Sequence, residues 1–363
     1  MPEIFADTVQ APVVSTSQTS RGERNSALRA TMSGPWLRER AADLAGRAEA
    51  YLDEHPLPER WEVLPTVLDM TTALATYLCL GAHSETLLDT SRRLRAATPD
   101  ALAHGPRRFA RRSNAAGRFE NEARRTGDCI RTLLQDVPAA TDGAPRDVLG
   151  HLVHGDGAPS GWRDDERVEA LWLLLYTAQT APALCTAWLL YLLAGHPEIQ
   201  DEVRGEALRS SPGDSCTGST SMLRHSTQES LRMFPPTWLL GRVARQPVEI
   251  AGHRLSPGEQ VRVAVQLIHR DPREFPAPDT FNPARWSTQS SATRPPLDAF
   301  LPFGAGPMFC KGTTWVYALA SISTTAILRR YRLTGLRAPR PRPRSAAHLE
   351  PTGLVLRCRP ADH

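Results

Sequence analysis

The sequence predicts a mainly α-helical fold with a minor antiparallel β element, on three grounds. Its 363 residues, 41% hydrophobic and 23% charged, have the composition of a globular chain large enough to bury a sizeable core. Apolar residues recur at helical spacing through the front and middle of the chain. Short strand-like runs gather beyond the double proline at Pro235-Pro236.

Residues 1–20 have no sustained periodicity and are rich in Ser, Thr, Pro and Gln, so they read as a flexible tail ahead of one domain spanning residues 21–363. From about Gly22 to Asp136 the pattern is helical, with breaks at Gly34-Pro35, at His55 to Pro58 and near Pro106. Residues 137–163 are loop-like. No charge then occurs from Ala170 to Gly195, a stretch long enough to cross a bilayer. Thr177, Gln179, Thr180 and Pro182 interrupt it and acidic sequence flanks it, so the expectation is a helix buried on all sides. Nothing else resembles a membrane segment, and no membrane association is expected.

HPEIQDEVRGEAL follows as a charged surface helix, and residues 210–221 form a linker of turn-forming residues. A short helix ends at Phe234-Pro235-Pro236. VEIAGHRL and QVRVAVQLI, joined by SPGE, read as a hairpin. Proline-rich irregular chain fills 271–302. A last helix runs from about Gly312 to Arg330, before an Arg/Pro-rich loop and a terminal strand, GLVLRCR. There is no internal repeat.

Composition narrows function. A net charge of +4 is too small to argue for nucleic acid, and the run PRRFARR reads as a solvated helix end or loop. The six cysteines are scattered without a CxxC pair, which points to free thiols in a reducing, cytoplasmic setting.

The chemistry concentrates in FGAGPMFCKG at residues 303–312. Glycines permit a tight loop with positive backbone angles and close approach of a flat ligand. A cysteine at a helix N-terminus has its thiolate favoured by the helix dipole and free N–H groups, so this loop can present one anionic sulfur to one metal. Glu229 and Arg232 stand three apart on one helix face, where they can pair. Arg285, in FNPARW, offers a second guanidinium to the same carboxylate.

With these residues in this order, the chain resembles the cytochrome P450 superfamily of soluble bacterial type. The likeness is carried by ESLRMFPP, HRDPREFPAPDTFNPARW, FLPFGAGPMFCKG and, more loosely, AWLLYLLAGHPEIQ. It covers residues 165 to 335, and more faintly reaches back to about residue 20. It implies the P450 fold, an α-rich domain with a small sheet, whose haem-binding core is residues 165–335.

The resemblance implies haem b (iron protoporphyrin IX) with Cys310 as the axial iron ligand, which favours O–O cleavage. Phe303, Gly304, Gly306 and Gly312 shape the loop, and Glu229, Arg232 and Arg285 form a structural clamp behind it. Arg242 and Arg29 match propionate-binding arginines, and Asn25 stands in the early motif as a hydrogen-bond donor. Ala178, Ala181, Thr237, Trp238 and Leu239 line the substrate pocket by analogy. A ferredoxin or flavodoxin-type electron donor would dock near Lys311.

The sequence also departs from the family pattern. Met308 replaces the arginine or histidine that usually holds a propionate, a loss of roughly 1.5–3 kcal/mol. The acid–alcohol pair of the long helix is missing, because its positions fall at Thr180 and Ala181. The chain ahead of GERNSALR is short, which implies a misassigned start or a reduced small sheet and distal lid.

The expected activity is a haem-thiolate monooxygenase acting on a small apolar metabolite of secondary metabolism. Protons would arrive through Thr180, Gln179 or Thr177 and water. Without the acid–alcohol pair, a redox-partner-independent peroxygenase, isomerase or dehydratase is an alternative. A non-catalytic P450-like partner of another biosynthetic enzyme is a third.

Overall fold

A computed structural model describes residues 5–7, 28–81, 84–102, 114–135, 137, 145–155, 161–210, 221–287, 298–306, 309–335, 341–345 and 348–361. Asn25 and Met308 lie outside the described residues. The elements in chain order are β1 (Phe5–Asp7), α1 (Gly34–Glu54), β2 (Arg60–Glu62), α2 (Val63–Leu80), α3 (Ser84–Leu102), α4 (Asn114–Gln135), α5 (Val148–His154) and α6 (Asp164–Ala194). Then come α7 (Pro197–Arg209), α8 (Met222–Met233), β3 (Leu239–Ala244), β4 (Val248–Ile250), β5 (His253–Leu255), β6 (Gln260–Ala264) and α9 (Val265–Ile268). A 3-10 turn (Pro283–Trp286), α10 (Thr313–Arg330), β7 (Tyr331–Gly335), β8 (Arg342–Ser345), β9 (Leu349–Thr352) and β10 (Val355–Pro360) complete the set. Helix dominates and the strands are short and antiparallel, as the residue patterning predicts.

Local chemistry explains the boundaries. Gly34-Pro35 opens α1, with Ser33 accepting from the Trp36 N–H as N-cap and Pro35 supplying a preset backbone angle. The helical pattern read through residue 81 is interrupted there: Gly81 takes φ 54°, and an added Cβ would collide with the Asp147 carboxylate. Asp147 is itself the N-cap of α5, accepting from the Gly150 N–H at 2.7 Å.

Helix α6 is the spine. It packs against α2, α4 and α10, and most of its residues are buried. Pro182 lies inside it and removes one backbone donor, yet the helix runs on through residue 194. Helix α2 is also long and apolar enough to span a bilayer, so α6 is not alone in this, contrary to the expectation above. Both are mostly buried within the fold, where an all-round apolar helix belongs.

Among the described residues four small sheets form: β1-β3-β6, β2-β10-β7, β4-β5 and β8-β9. The expected hairpin between VEIAGHRL and QVRVAVQLI does not form. VEIAGHRL folds on itself as β4-β5, turning at Ala251 (φ 48°) and Gly252 (φ 80°). Strand β6 instead pairs with β3, joining Leu239 to Ala264 and Val243 to Gln260. The next residues, 265–268, turn into α9 rather than continuing the strand.

Candidate functional site: a cysteine loop held by a carboxylate clamp

The clamp centres on Glu229 of α8, fully buried with Arg232, and with Arg285 nearly so. Its Oε1 accepts from Arg232 Nη2 (2.9 Å), Arg285 Nε (3.0 Å) and the Asn282 N–H (3.1 Å). Its Oε2 accepts from Arg232 Nε (3.0 Å) and Trp286 Nε1 (2.9 Å). A carboxylate and two guanidiniums out of water are tolerated only when their hydrogen-bonding capacity is met. The arginines meet theirs on the proline-rich chain: Arg232 Nη1 on the His269 carbonyl at 2.9 Å, and Arg285 Nη2 on the Pro276 carbonyl at 3.1 Å. The irregular segment thus wraps one ion cluster, which explains its order without a helix or sheet.

Two clamp members escape the sequence motifs. Trp286 donates to the carboxylate through its indole, and His269 is wholly buried, with both ring nitrogens engaged by Arg232 O (3.0 Å) and the Leu301 N–H (2.8 Å). Burial lowers the His269 pKa to about 4, opposed by its hydrogen bond to the Arg232 backbone. The signal for Trp286 was its adjacency to Arg285 in FNPARW, and for His269 its place in HRDP; neither local pattern states what the ring touches.

The cysteine loop follows. Gly304 (φ 74°) and Gly306 (φ 67°) occupy the left-handed region that glycine favours. The Gly304 N–H bonds Leu301 O at 3.0 Å, the Phe309 N–H bonds Gly306 O at 3.0 Å, and the Cys310 N–H bonds Phe303 O at 2.9 Å. Thr313 Oγ1 bonds the Cys310 carbonyl at 2.7 Å, fastening the cysteine to the first turn of α10. Gly312 differs from its expected part: its φ is −78°, and an added Cβ would meet Cys310 Sγ at an ordinary 3.8 Å. Its glycine is not a backbone requirement.

The loop meets α6 through side chains. Phe303 and Ala181 both pack on a buried cluster of Cys185, Leu231, Val316, Tyr317 and Ala320. Thr177, Thr180 and Ala181 recur at helical spacing on one α6 face and are incompletely buried; Ala178 is half-buried beside them. Thr177 Oγ1 bonds back to the Leu173 carbonyl at 2.8 Å. Gln179 does not join this face. It sits about 200° around the helix from Thr177. It is nearly fully buried, and Thr71 of α2 bonds its carbonyl at 3.3 Å. Among the described residues its Nε2 has no hydrogen-bond partner, and its place on the opposite side of α6 sets it apart from Thr177 and Thr180.

Thr237, Trp238 and Leu239 are half-buried where the double proline leads into β3. Arg242, half-buried on β3, donates to the Gly241 carbonyl at 2.8 Å. Arg29 is exposed in a turn whose Thr31 carbonyl accepts from Trp315 Nε1 at 2.8 Å, which fixes that turn against the start of α10. Lys311 is exposed beside Cys310.

The sequence model of the family Cytochrome P450 matches residues 81–358. The chain belongs to the cytochrome P450 family. Among curated relatives, this P450 is 31% identical over 237 residues to cyclooctatin synthase of Streptomyces melanosporofaciens, covering 62% of this chain and 50% of that protein. It is 30% identical over 193 residues to cyclooctat-9-en-7-ol 5-monooxygenase of the same organism, covering 52% and 42%. It is also 30% identical over 174 residues to thromboxane-A synthase of Mus musculus, covering 46% and 32%. The chain therefore spans half or less of the length of these relatives.

The family cofactor is haem b, and the residues present fit it. An exposed cysteine on a glycine-shaped loop, hydrogen-bonded through its own N–H and set ahead of an 18-residue helix, is a donor that would suit the haem iron. The buried clamp holds the preceding chain in place, and two arginines could serve as cations: Arg242, half-buried on β3, and Arg29, exposed in the turn that Trp315 holds through Thr31.

Proposed function

We propose that this P450 is a haem-thiolate monooxygenase that oxidises a small apolar substrate with dioxygen and electrons from a separate donor. The observation that carries the reading is the meeting of Phe303, in the Cys310 loop, with Ala181, on the open face of α6, across one apolar cluster. It joins the ligand loop to the helix face that carries Thr177 and Thr180. Bound through Cys310, the haem supplies thiolate-ligated iron able to activate oxygen. Every other task falls to this chain's side chains.

Cys310 holds the anionic sulfur, and the Phe303–Cys310 backbone bond fixes its direction. Arg242 and Arg29 bind the propionates as cations. Thr180, with Thr177, holds an ordered water and passes protons from it in place of the absent acid–alcohol pair. Ala178, Ala181, Thr237, Trp238 and Leu239 exclude water and shape the pocket. Lys311 marks the docking face for an acidic ferredoxin or flavodoxin. An apolar, secondary-metabolite substrate is supported by the relatives named for cyclooctatin and cyclooctat-9-en-7-ol. A cytoplasmic setting is part of this reading; the burial of α2 and α6 inside the fold speaks only against these two helices crossing a membrane.

A second reading, oxidation of the substrate by a peroxide, or its isomerisation or dehydration, without a redox partner, is favoured by one feature: Ala181 stands where the family alcohol does. The test is direct. The purified protein, reduced under carbon monoxide, should show the strongly red-shifted Soret band of thiolate ligation, lost in Cys310→Ala. Turnover with ferredoxin, reductase and reduced nicotinamide, absent with hydroperoxide alone, supports the first reading; the reverse pattern selects the second.

A further inference from the structure

We infer that His269 is a positioning residue for the haem-thiolate site: through the Leu301 N–H, its imidazole couples the Cys310 loop to the Glu229 clamp. This rests on the haem-thiolate reading above. The Leu301 N–H can only donate, so His269 Nε2 offers its lone pair at 2.8 Å. Nδ1 therefore carries the proton and donates to Arg232 O at 3.0 Å. Arg232 returns the grip, its Nη1 bonding the His269 carbonyl at 2.9 Å. One neutral ring is thus fastened on one side to the clamp and on the other to the chain leading into the loop.

The ring's own position is set by packing. Phe300 stacks on it with centroids 5.5 Å apart, and Phe275 meets it edge-on at 5.9 Å. From Leu301 the connection continues through backbone alone. The Leu301 carbonyl receives the Gly304 N–H, and the Phe303 carbonyl receives the Cys310 N–H. Each step is one hydrogen bond long, so a shift of Leu301 passes to the peptide that holds Cys310. Burial, which lowers the ring's pKa to about 4, keeps it in the neutral form this arrangement needs.

Two variants separate the ring's connections. In His269→Asn the side-chain amide can still donate to Arg232 O but is too short to accept from Leu301. In His269→Gln the Oε1 can reach Leu301 while the link to Arg232 is lost. Hydrogen exchange of the Leu301 amide in the purified protein, and the Soret position of the reduced carbon monoxide complex, are measured for both. His269→Asn should raise Leu301 exchange by roughly tenfold or more, as expected for a buried donor deprived of its acceptor. It should also displace part of the Soret band away from the thiolate position, whereas His269→Gln should keep Leu301 exchange near wild type and, having lost only the link to the clamp, displace the Soret band by less.

Wild-type behaviour in His269→Asn, or equal losses in the two variants, would overturn the inference. A wild-type protein that takes up no haem would instead sink the haem-thiolate reading, and the Leu301 exchange rates would still decide whether His269 holds the loop.

Discussion

Trp286 Nε1 donates a 2.9 Å hydrogen bond to Glu229 Oε2 across a separation of 57 residues, so the buried carboxylate is held by an indole as well as by two arginines. The consequence is a graded response to substitution. Trp286→Phe removes one bond to a charged acceptor and should destabilise the protein by about 1.5–3 kcal/mol. Arg285→Leu leaves the carboxylate with a missing counter-charge in a site closed to water and should lower stability by about 3–5 kcal/mol. Urea unfolding of the two variants side by side checks the order.

The loop glycines should not respond alike. Gly306 has open space where a Cβ would go but a φ of 67°, so Gly306→Ala meets backbone strain of about 1–2 kcal/mol and no collision. Gly312, at φ −78°, should accept alanine with little loss of stability or of haem content. Thermal unfolding and the haem-to-protein ratio of the two variants distinguish them. Equal sensitivity would mean that Gly312 is needed for the ligand and not for the backbone.

His269 should make stability fall in mild acid. Its pKa is lowered by burial from 6.5 to about 4, so between those values the unfolded chain binds more protons than the folded one. The contribution is complete above pH 6.5 and is lost as pH falls toward 4, by roughly 3 kcal/mol in all. Denaturant unfolding from pH 7 to pH 4 should show this loss in wild type and a shallower one in His269→Gln, which has no titrating ring.

Gln179→Leu should be neutral or stabilising. The native side chain buries an amide nitrogen with no partner among the described residues, a penalty of about 1–3 kcal/mol that a leucine of similar volume avoids. Proton delivery should be untouched, because Gln179 lies away from the face of α6 that carries Thr177 and Thr180. Thr180→Val should do the opposite, leaving stability nearly intact while uncoupling electron consumption from product formation. Measuring both variants for unfolding midpoint and coupling ratio separates the two sides of the helix.

The residues of the cysteine loop and of the clamp were legible in the chain because their pattern depends on near neighbours and side-chain type. Cys310 between glycines at a helix start, and an acid and a base three apart in Glu229 and Arg232, are visible in one dimension. The helical class was legible too, since α6 and α10 announce themselves by long apolar runs and α7 by its charged pattern behind Pro197. Tertiary structure alone decided which face of α6 Gln179 occupies, which partner β6 takes and what His269 and Trp286 touch. Each depends on contacts between residues far apart in the chain: a uniformly apolar helix carries no marker of which side faces which neighbour, and a buried polar ring is defined by the partners that satisfy it.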